Sequence, residues 1–344
     1  MMTAVVNPTT LLGKELRDRL AGDRRRWGEI RLFTTEEEAA GTLTEAAGEA
    51  SLIARWEADA LAGADVVFLC GEAGSPGSGL ADRLGAVLAD RLGPVLADLP
   101  ANAVAVLLAT EANFEGGHPV VAGINDGDLP ALGPAPTLLI SPHPAVIIIA
   151  RLLHPLRGLD LRAAVAVVLQ PASMRDEAGV EELFEQSRSL LTFATPATGV
   201  WERQLAFNLF PARAGEETLA GQLAGVLGGG LRPALEIIQG GIFHGVAASL
   251  YVECGGDPGA EKIRDLLADD PYVELAADAE GLGPVTAPDH ERVLLGTVRP
   301  EPARPGSYWL WAVMDNLTRG GALNALEVAA AALAARGSTP AGGS

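Results

Sequence analysis

Lysine is almost missing from this chain of 344 residues: Lys14 and Lys262 stand alone, so positive charge rests on arginine. With 25 Lys and Arg against 44 Asp and Glu, the formal net charge is −19. So acidic a surface repels phosphate backbones and anionic lipid, which argues against nucleic-acid partners and membrane surfaces. Cysteine is equally scarce. Cys70 and Cys254 are too few for a disulfide framework, and a reduced, cytoplasmic setting is expected. No apolar run reaches bilayer length, because Thr137–Leu153 is interrupted by Pro142, Pro144 and Arg151, so no membrane insertion is expected. The first residues carry no basic stretch leading into a signal core. There is no internal repeat or heptad, and no metal site is expected.

Hydrophobic residues make up 48% of the chain and charged residues 20%, enough to bury more than one core. Continuous apolar runs at Met2–Val6, Ala64–Leu69, Ala103–Ala109 and Pro136–Ile140 alternate with helical segments at Leu11–Leu20 and Gly79–Leu92. That pattern predicts a Rossmann-like, doubly wound parallel sheet covered on both faces. From Leu161 onward the character changes. Leu161–Gln170, Pro233–Gly245, Ala247–Glu253, Glu291–Val298 and Tyr308–Val313 read as strands with fewer helices between them. These predict a second, α+β domain with a mixed or antiparallel sheet. An apolar last helix, Gly321–Ala335, must pack on something, and residues 339–344 read as a disordered tail.

Ser141-Pro142-His143-Pro144 stands between a strand pattern and the apolar helix pattern Ala145–Ala150. Such a turn suits a catalytic nucleophile, because a helix N-terminus stabilises negative charge. Here it presents Pro144, which has no nucleophile and no N–H. Other glycine clusters, Gly71–Gly77 and Gly228–Gly230, read as loops.

Seven landmarks occur in order: Ala64–Leu69, Asn125, Ser141–Pro144, Val168-Leu169-Gln170, Gln204–Pro211, Ile242–Gly245 and Leu310–Ala325. Together they resemble the aspartate-semialdehyde dehydrogenase family, which is itself similar to the N-acetyl-glutamyl-phosphate reductases. Asp315-Asn316-Leu317-Thr318-Arg319-Gly320-Gly321-Ala322-Leu323-Asn324-Ala325 is similar almost throughout to the family's Asp-Asn-Leu-Arg-Lys-Gly-Ala-Ala-Thr-Asn-Ala segment. The resemblance implies a dinucleotide-binding-type domain of residues 1–142 with 316–338, a dimerisation domain of residues 143–315, and a homodimer. It also implies reduction of an acyl phosphate through a cysteine thioester, with a histidine acid/base and hydride from NADP(H).

Position by position, the resemblance places that chemistry on residues unable to perform it. The nucleophile's place matches Pro144, and the acid/base histidine's matches Val246, with His244 where an arginine stands. The arginine that would hold the phosphate matches Glu115. Of the glycine-rich dinucleotide loop only Gly13 remains, with Asn7 and Thr10 in place of glycines and Pro8 between them. Gln170 matches the active-site glutamine, and Asn208 sits in a retained segment. His143 reads as a turn or cap residue, His244 as structural, and Cys70 and Cys254 as inert small residues.

The expectation is therefore a non-catalytic homologue that keeps the fold and the dimer and binds no cofactor, with a structural or partner-binding role beside an unidentified protein. A divergent NAD(P)-dependent reductase using His143 or His244 is the alternative. A metabolite sensor built near Gln170 and Asn208 is the third.

Overall fold

A computed structural model describes the chain apart from residues 36, 38, 47–48, 58, 71–94, 109–116, 133–136, 213–215, 289 and 338–344. Glu115, the Gly79–Leu92 segment, the Gly71–Gly77 cluster and the tail of residues 339–344 lie outside the described residues. Two compact units result. The first holds described residues from Met1 to Pro142 and from Gly321 onward, and the second is His143–Gly320.

The first unit is built on β1 (Met2–Val6), β2 (Glu29–Thr34), β3 (Leu43–Ala46), β4 (Glu49–Arg55), β5 (Val66–Cys70), β6 (Val104–Leu108), β7 (His118–Pro119) and β8 (Thr137–Ile140). Among the described residues their order is β3-β4-β2-β1-β5-β6-β8-β7. Every pair is parallel except the β3–β4 hairpin at one edge. β1 and β5 are buried throughout, as continuous apolar runs require in a sheet covered on both sides. Val5, Phe68 and Val106 face one core with Leu16 and Leu20 of α1 (Leu11–Gly22), and with Ala325, Val328 and Ala329 of the last helix. Ala4, Val6, Val67 and Leu69 face the other core with Leu61 and Val95.

The second unit carries β9 (Leu161–Gln170), β10 (Leu209–Pro211), β11 (Ala234–Gly240), β12 (Val246–Cys254), β13 (Val273–Leu275), β14 (Val293–Pro300) and β15 (Ser307–Met314), ordered β10-β11-β9-β12-β15-β14-β13. The sheet is mixed, with parallel pairs β11–β9 and β13–β14. Its inner face, including Ala166, Val168, Leu250 and Ala312, is buried. The apolar helix α2 (Pro144–Leu153) packs on β9, β12 and β15.

Three expectations need correction. Helices are not sparse in this unit, since α3 (Asp176–Leu191), α4 (Glu216–Leu227) and α5 (Ala260–Ala268) lie between its strands. The Pro233–Gly245 run is not one strand. It ends at Gly240, because Gly241 comes so near Leu205 that an added Cβ would lie 2.7 Å from that carbonyl oxygen. The last helix is likewise not uniform: a π-helical turn, Thr318–Leu323, precedes α6 (Asn324–Gly337).

Candidate functional site

In the first unit the Asn7–Gly13 turn joins β1 to α1. Asn7 adopts φ +57°, the left-handed conformation that asparagine tolerates better than most residues. Its Oδ1 accepts from the Thr35 amide at 3.0 Å and the Thr35 hydroxyl at 3.2 Å. Pro8 is buried and brings no N–H. Thr10 caps α1, its hydroxyl accepting from the Gly13 amide at 2.9 Å. Gly13 is required by packing: a Cβ there would lie 2.9 Å from the Pro8 backbone. Asn125 is likewise a loop clamp, accepting from the Val121 amide and donating to the Pro119 carbonyl, both at 2.9 Å.

In the second unit the remaining matched positions gather at one end of the sheet. Gln170 ends β9, Val246 begins β12 and Met314 ends β15, with Val246 opposite Met314 and Ala247 opposite Leu169. Asn316 ties this end together. Its Oδ1 accepts from the Gly245 amide at 2.9 Å, and its Nδ2 donates to the Ser173 hydroxyl at 3.1 Å. Gly320 lies against the start of α2, where a Cβ would fall 3.0 Å from Pro144 Cβ and 2.9 Å from Met314 Cε.

Pro144 is the first residue of α2 and is buried, a position that tolerates proline because the first N–H has no helical partner. The N-cap is His143. Its Nδ1 accepts from the Ala145 amide at 3.0 Å, its carbonyl accepts from Val146 and Ile147, and its own amide donates to Gln222 Oε1 at 3.1 Å. Burial lowers the imidazole to about 3, which keeps Nδ1 unprotonated and able to accept. The amides that would face an anion at this helix start are thus already bound by His143 itself.

Gln170 is buried, and its Nε2 donates to Gln239 Oε1 at 3.0 Å. Gln239 in turn donates to the carbonyls of Gln170 and Gly240, both at 3.1 Å. Val246 is fully buried and follows Gly245, whose φ of +87° and close approach to Pro284 exclude a side chain. His244 is half-buried, and its Nδ1 is buried without a hydrogen-bond partner. Asn208 is exposed beside an open depression lined by Phe207, Leu209 and Gly241. Its amide is turned onto its own loop, donating to the Gln204 carbonyl at 2.9 Å. Cys70 is fully buried, and burial, then Asp160 and Asp257, push the Cys254 thiol up, away from a reactive thiolate.

Sequence reasoning missed Gln239, Gln222, Ser173 and the clamping role of Asn316. Only Gln239 left a signal: a lone amide in the Ile237-Ile238-Gln239 run, falling in register with Gln170.

A Rossmann-like parallel sheet, followed by a unit with a mixed sheet, defines a two-unit α/β protein. No protein-family model matches the chain. The aspartate-semialdehyde dehydrogenase of Rickettsia bellii is 24% identical over 205 residues, 56% of this chain and 61% of that protein. The corresponding enzyme of Synechocystis is 24% identical over 340 residues, 95% of each chain. The USG-1 protein homolog of Azotobacter vinelandii is 30% identical over 225 residues, 61% of this chain and 66% of that one. The chain thus spans about three fifths of the length of the first relatives it matches. Aspartate-semialdehyde dehydrogenase II of Vibrio cholerae superimposes with a TM-score of 0.82 at 20% identity, covering 96% of this chain and 98% of that one. The Candida albicans enzyme, whose crystal structure contains NADP, gives 0.67 at 13% identity, covering 98% and 99%. Curated relatives and solved structures thus consistently liken the chain to the aspartate-semialdehyde dehydrogenase family.

Proposed function

We propose that this chain is a non-catalytic member of its family, a cytoplasmic homodimer whose retained framework serves assembly with another, still unidentified protein. The start of α2 carries the reading. Thioester chemistry needs a thiolate at that turn and free donors beside it. Pro144 supplies neither, and His143 occupies the amides that follow.

Two further positions support it. Val246, at the family's acid/base position, has no group to move a proton. In the first unit the residues that would meet a dinucleotide's pyrophosphate do not fit it. Pro8 lacks an N–H, the Gly13 amide is bound by Thr10, and only Gly13 leaves room for close backbone approach. No cofactor is expected. Glu115, outside the described residues, is an acid at the sequence position that matches the family's arginine.

Dimerisation is supported by the outer face of the second sheet. Val165 is 40% exposed, and Val167, Tyr251 and Trp309 are only half-buried, an apolar surface that a second copy would cover. Among the described residues no helix is long and apolar enough to cross a membrane.

Intact-mass spectrometry after incubation with aspartate semialdehyde and NADP, with phosphate withheld so that an acyl-thioester would not be discharged, tests the reading. An unchanged protein mass is expected. A covalent acyl adduct would overturn it and favour a divergent reductase.

A further inference from the structure

The scarce positive charge of this chain is unevenly placed. Arg24-Arg25-Arg26 is the one point in the sequence where basic residues adjoin. All three are exposed, on the single helical turn Arg24–Trp27 that joins α1 to β2. Successive helical residues diverge by about 100°, so the three side chains fan out over one end of the first unit. That end is opposite the Asn7–Gly13 turn: β2 starts at Glu29, beside Met2, whereas Asn7 follows the far end of β1. Nearby cations are already paired. Arg19 meets Glu15 at 2.9 Å, Arg31 meets Glu29 at 2.8 Å and Arg17 meets Asp18 at 3.7 Å. Arg25 and Arg26 pair with no carboxylate among the described residues, neighbouring Asp23 included, although acids outnumber bases 44 to 25. The turn is firmly seated. Trp27 is buried, its ring meets Phe68 edge-on with centroids 5.8 Å apart, and its carbonyl accepts from the Thr3 hydroxyl at 2.7 Å. The Arg26 guanidinium lies 5.5 Å from the Trp27 ring centroid, a stacking that steadies the side chain and leaves its N–H fork open.

We propose that Arg25 and Arg26 are the docking point for a short acidic segment of the partner protein, with adjacent carboxylates held in their guanidinium forks. The inference rests on the partner-binding reading above and adds the surface and the partner's chemistry. Arginine suits this task better than lysine, because its planar fork meets a carboxylate in two parallel hydrogen bonds and is more weakly hydrated. Range decides between kinds of anion. Charge is screened beyond about 8 Å at physiological ionic strength, so a segment of a few residues feels the arginines and little of the surrounding acid. A nucleic-acid strand or an anionic membrane extends well past that distance and meets the field of a chain carrying −19. The seat is also preformed, which lowers the ordering cost of binding. Acyl-adduct formation is measured separately, so failure of this docking point leaves the non-catalytic reading standing.

Fluorescence anisotropy of a labelled hexaglutamate peptide with the full chain tests this, alongside R25E/R26E, R25K/R26K and K262E/R264E, with thermal melts confirming that each variant folds. Lys262 and Arg264 are exposed on α5 of the second unit, so K262E/R264E changes the net charge as R25E/R26E does, but away from this turn. The parent is expected to bind the peptide saturably and more weakly as salt rises. R25E/R26E is expected to weaken binding roughly tenfold or more, and K262E/R264E to stay within about twofold of the parent. R25K/R26K, which keeps the charge and loses the forks, is expected to bind about threefold more weakly. No binding at up to about 1 mM peptide, a loss in K262E/R264E as large as in R25E/R26E, R25K/R26K binding as tightly as the parent, or equal affinity for an oligonucleotide of the same charge would each overturn the proposal.

Discussion

His143 caps α2 through a nitrogen that must stay unprotonated, and this ties the fold's stability to pH. Burial holds the imidazole at about 3 in the folded state, against 6.5 for an exposed one. Because the folded value is depressed, the unfolded chain binds the proton first as pH falls. The cap's contribution is therefore complete above about 6.5 and is lost progressively between 6.5 and 3, by up to about 1.4 kcal/mol per pH unit. Urea titrations across that window are expected to show this slope, and H143S, which keeps a capping oxygen, is expected to flatten it. Gly13 makes the complementary point. Its Cβ would press on the Pro8 backbone at 2.9 Å, so G13A is expected to destabilise the protein by about 1–3 kcal/mol through overpacking, read as a lower melting temperature.

At the scale of elements, Asn324 and Gln186 are long-range clamps. Asn324, at the start of α6, accepts from the Ala122 amide at 3.1 Å and donates to the Val120 carbonyl and the Ser141 hydroxyl, both at 3.0 Å. N324A would leave buried groups unpaired and is expected to cost about 2–4 kcal/mol, measured by denaturant unfolding. Gln186, fully buried on α3, accepts from the amides of Leu205 and Ala206 and donates to the carbonyls of Ala197 and Arg203. Q186L is expected to free the 197–206 loop without melting α3. Limited proteolysis in that loop, with unchanged helical circular dichroism, is the check.

Elements also differ in how far the sequence reveals them. β5 and β6 were legible because a parallel strand buried on both faces must be continuously apolar. α3 was not, because it opens on Asp176-Glu177 and buries few residues, Gly179, Leu183 and Gln186, against Ala172 and the 197–206 loop. The Asp315–Ala325 segment stood out as a motif. Its function as a clamp, through Asn316 to Gly245 and Ser173, depends on contacts with residues about 70 and 140 positions away that no local pattern carries. His143 as a cap was readable from the proline after it, whereas its partner Gln222 was not.

The whole molecule sets a two-unit α/β framework beside a helix start that presents Pro144 and no nucleophile. On the proposed reading P144C alone is not expected to confer the reaction, since Val246 moves no proton and Pro8 of the Asn7–Gly13 turn brings no N–H. The most direct test is NADP reduction by the purified full chain with saturating aspartate semialdehyde and phosphate. The account predicts no absorbance change at 340 nm above the protein-free control. Multiple turnovers, abolished by a thiol-specific reagent, would contradict it.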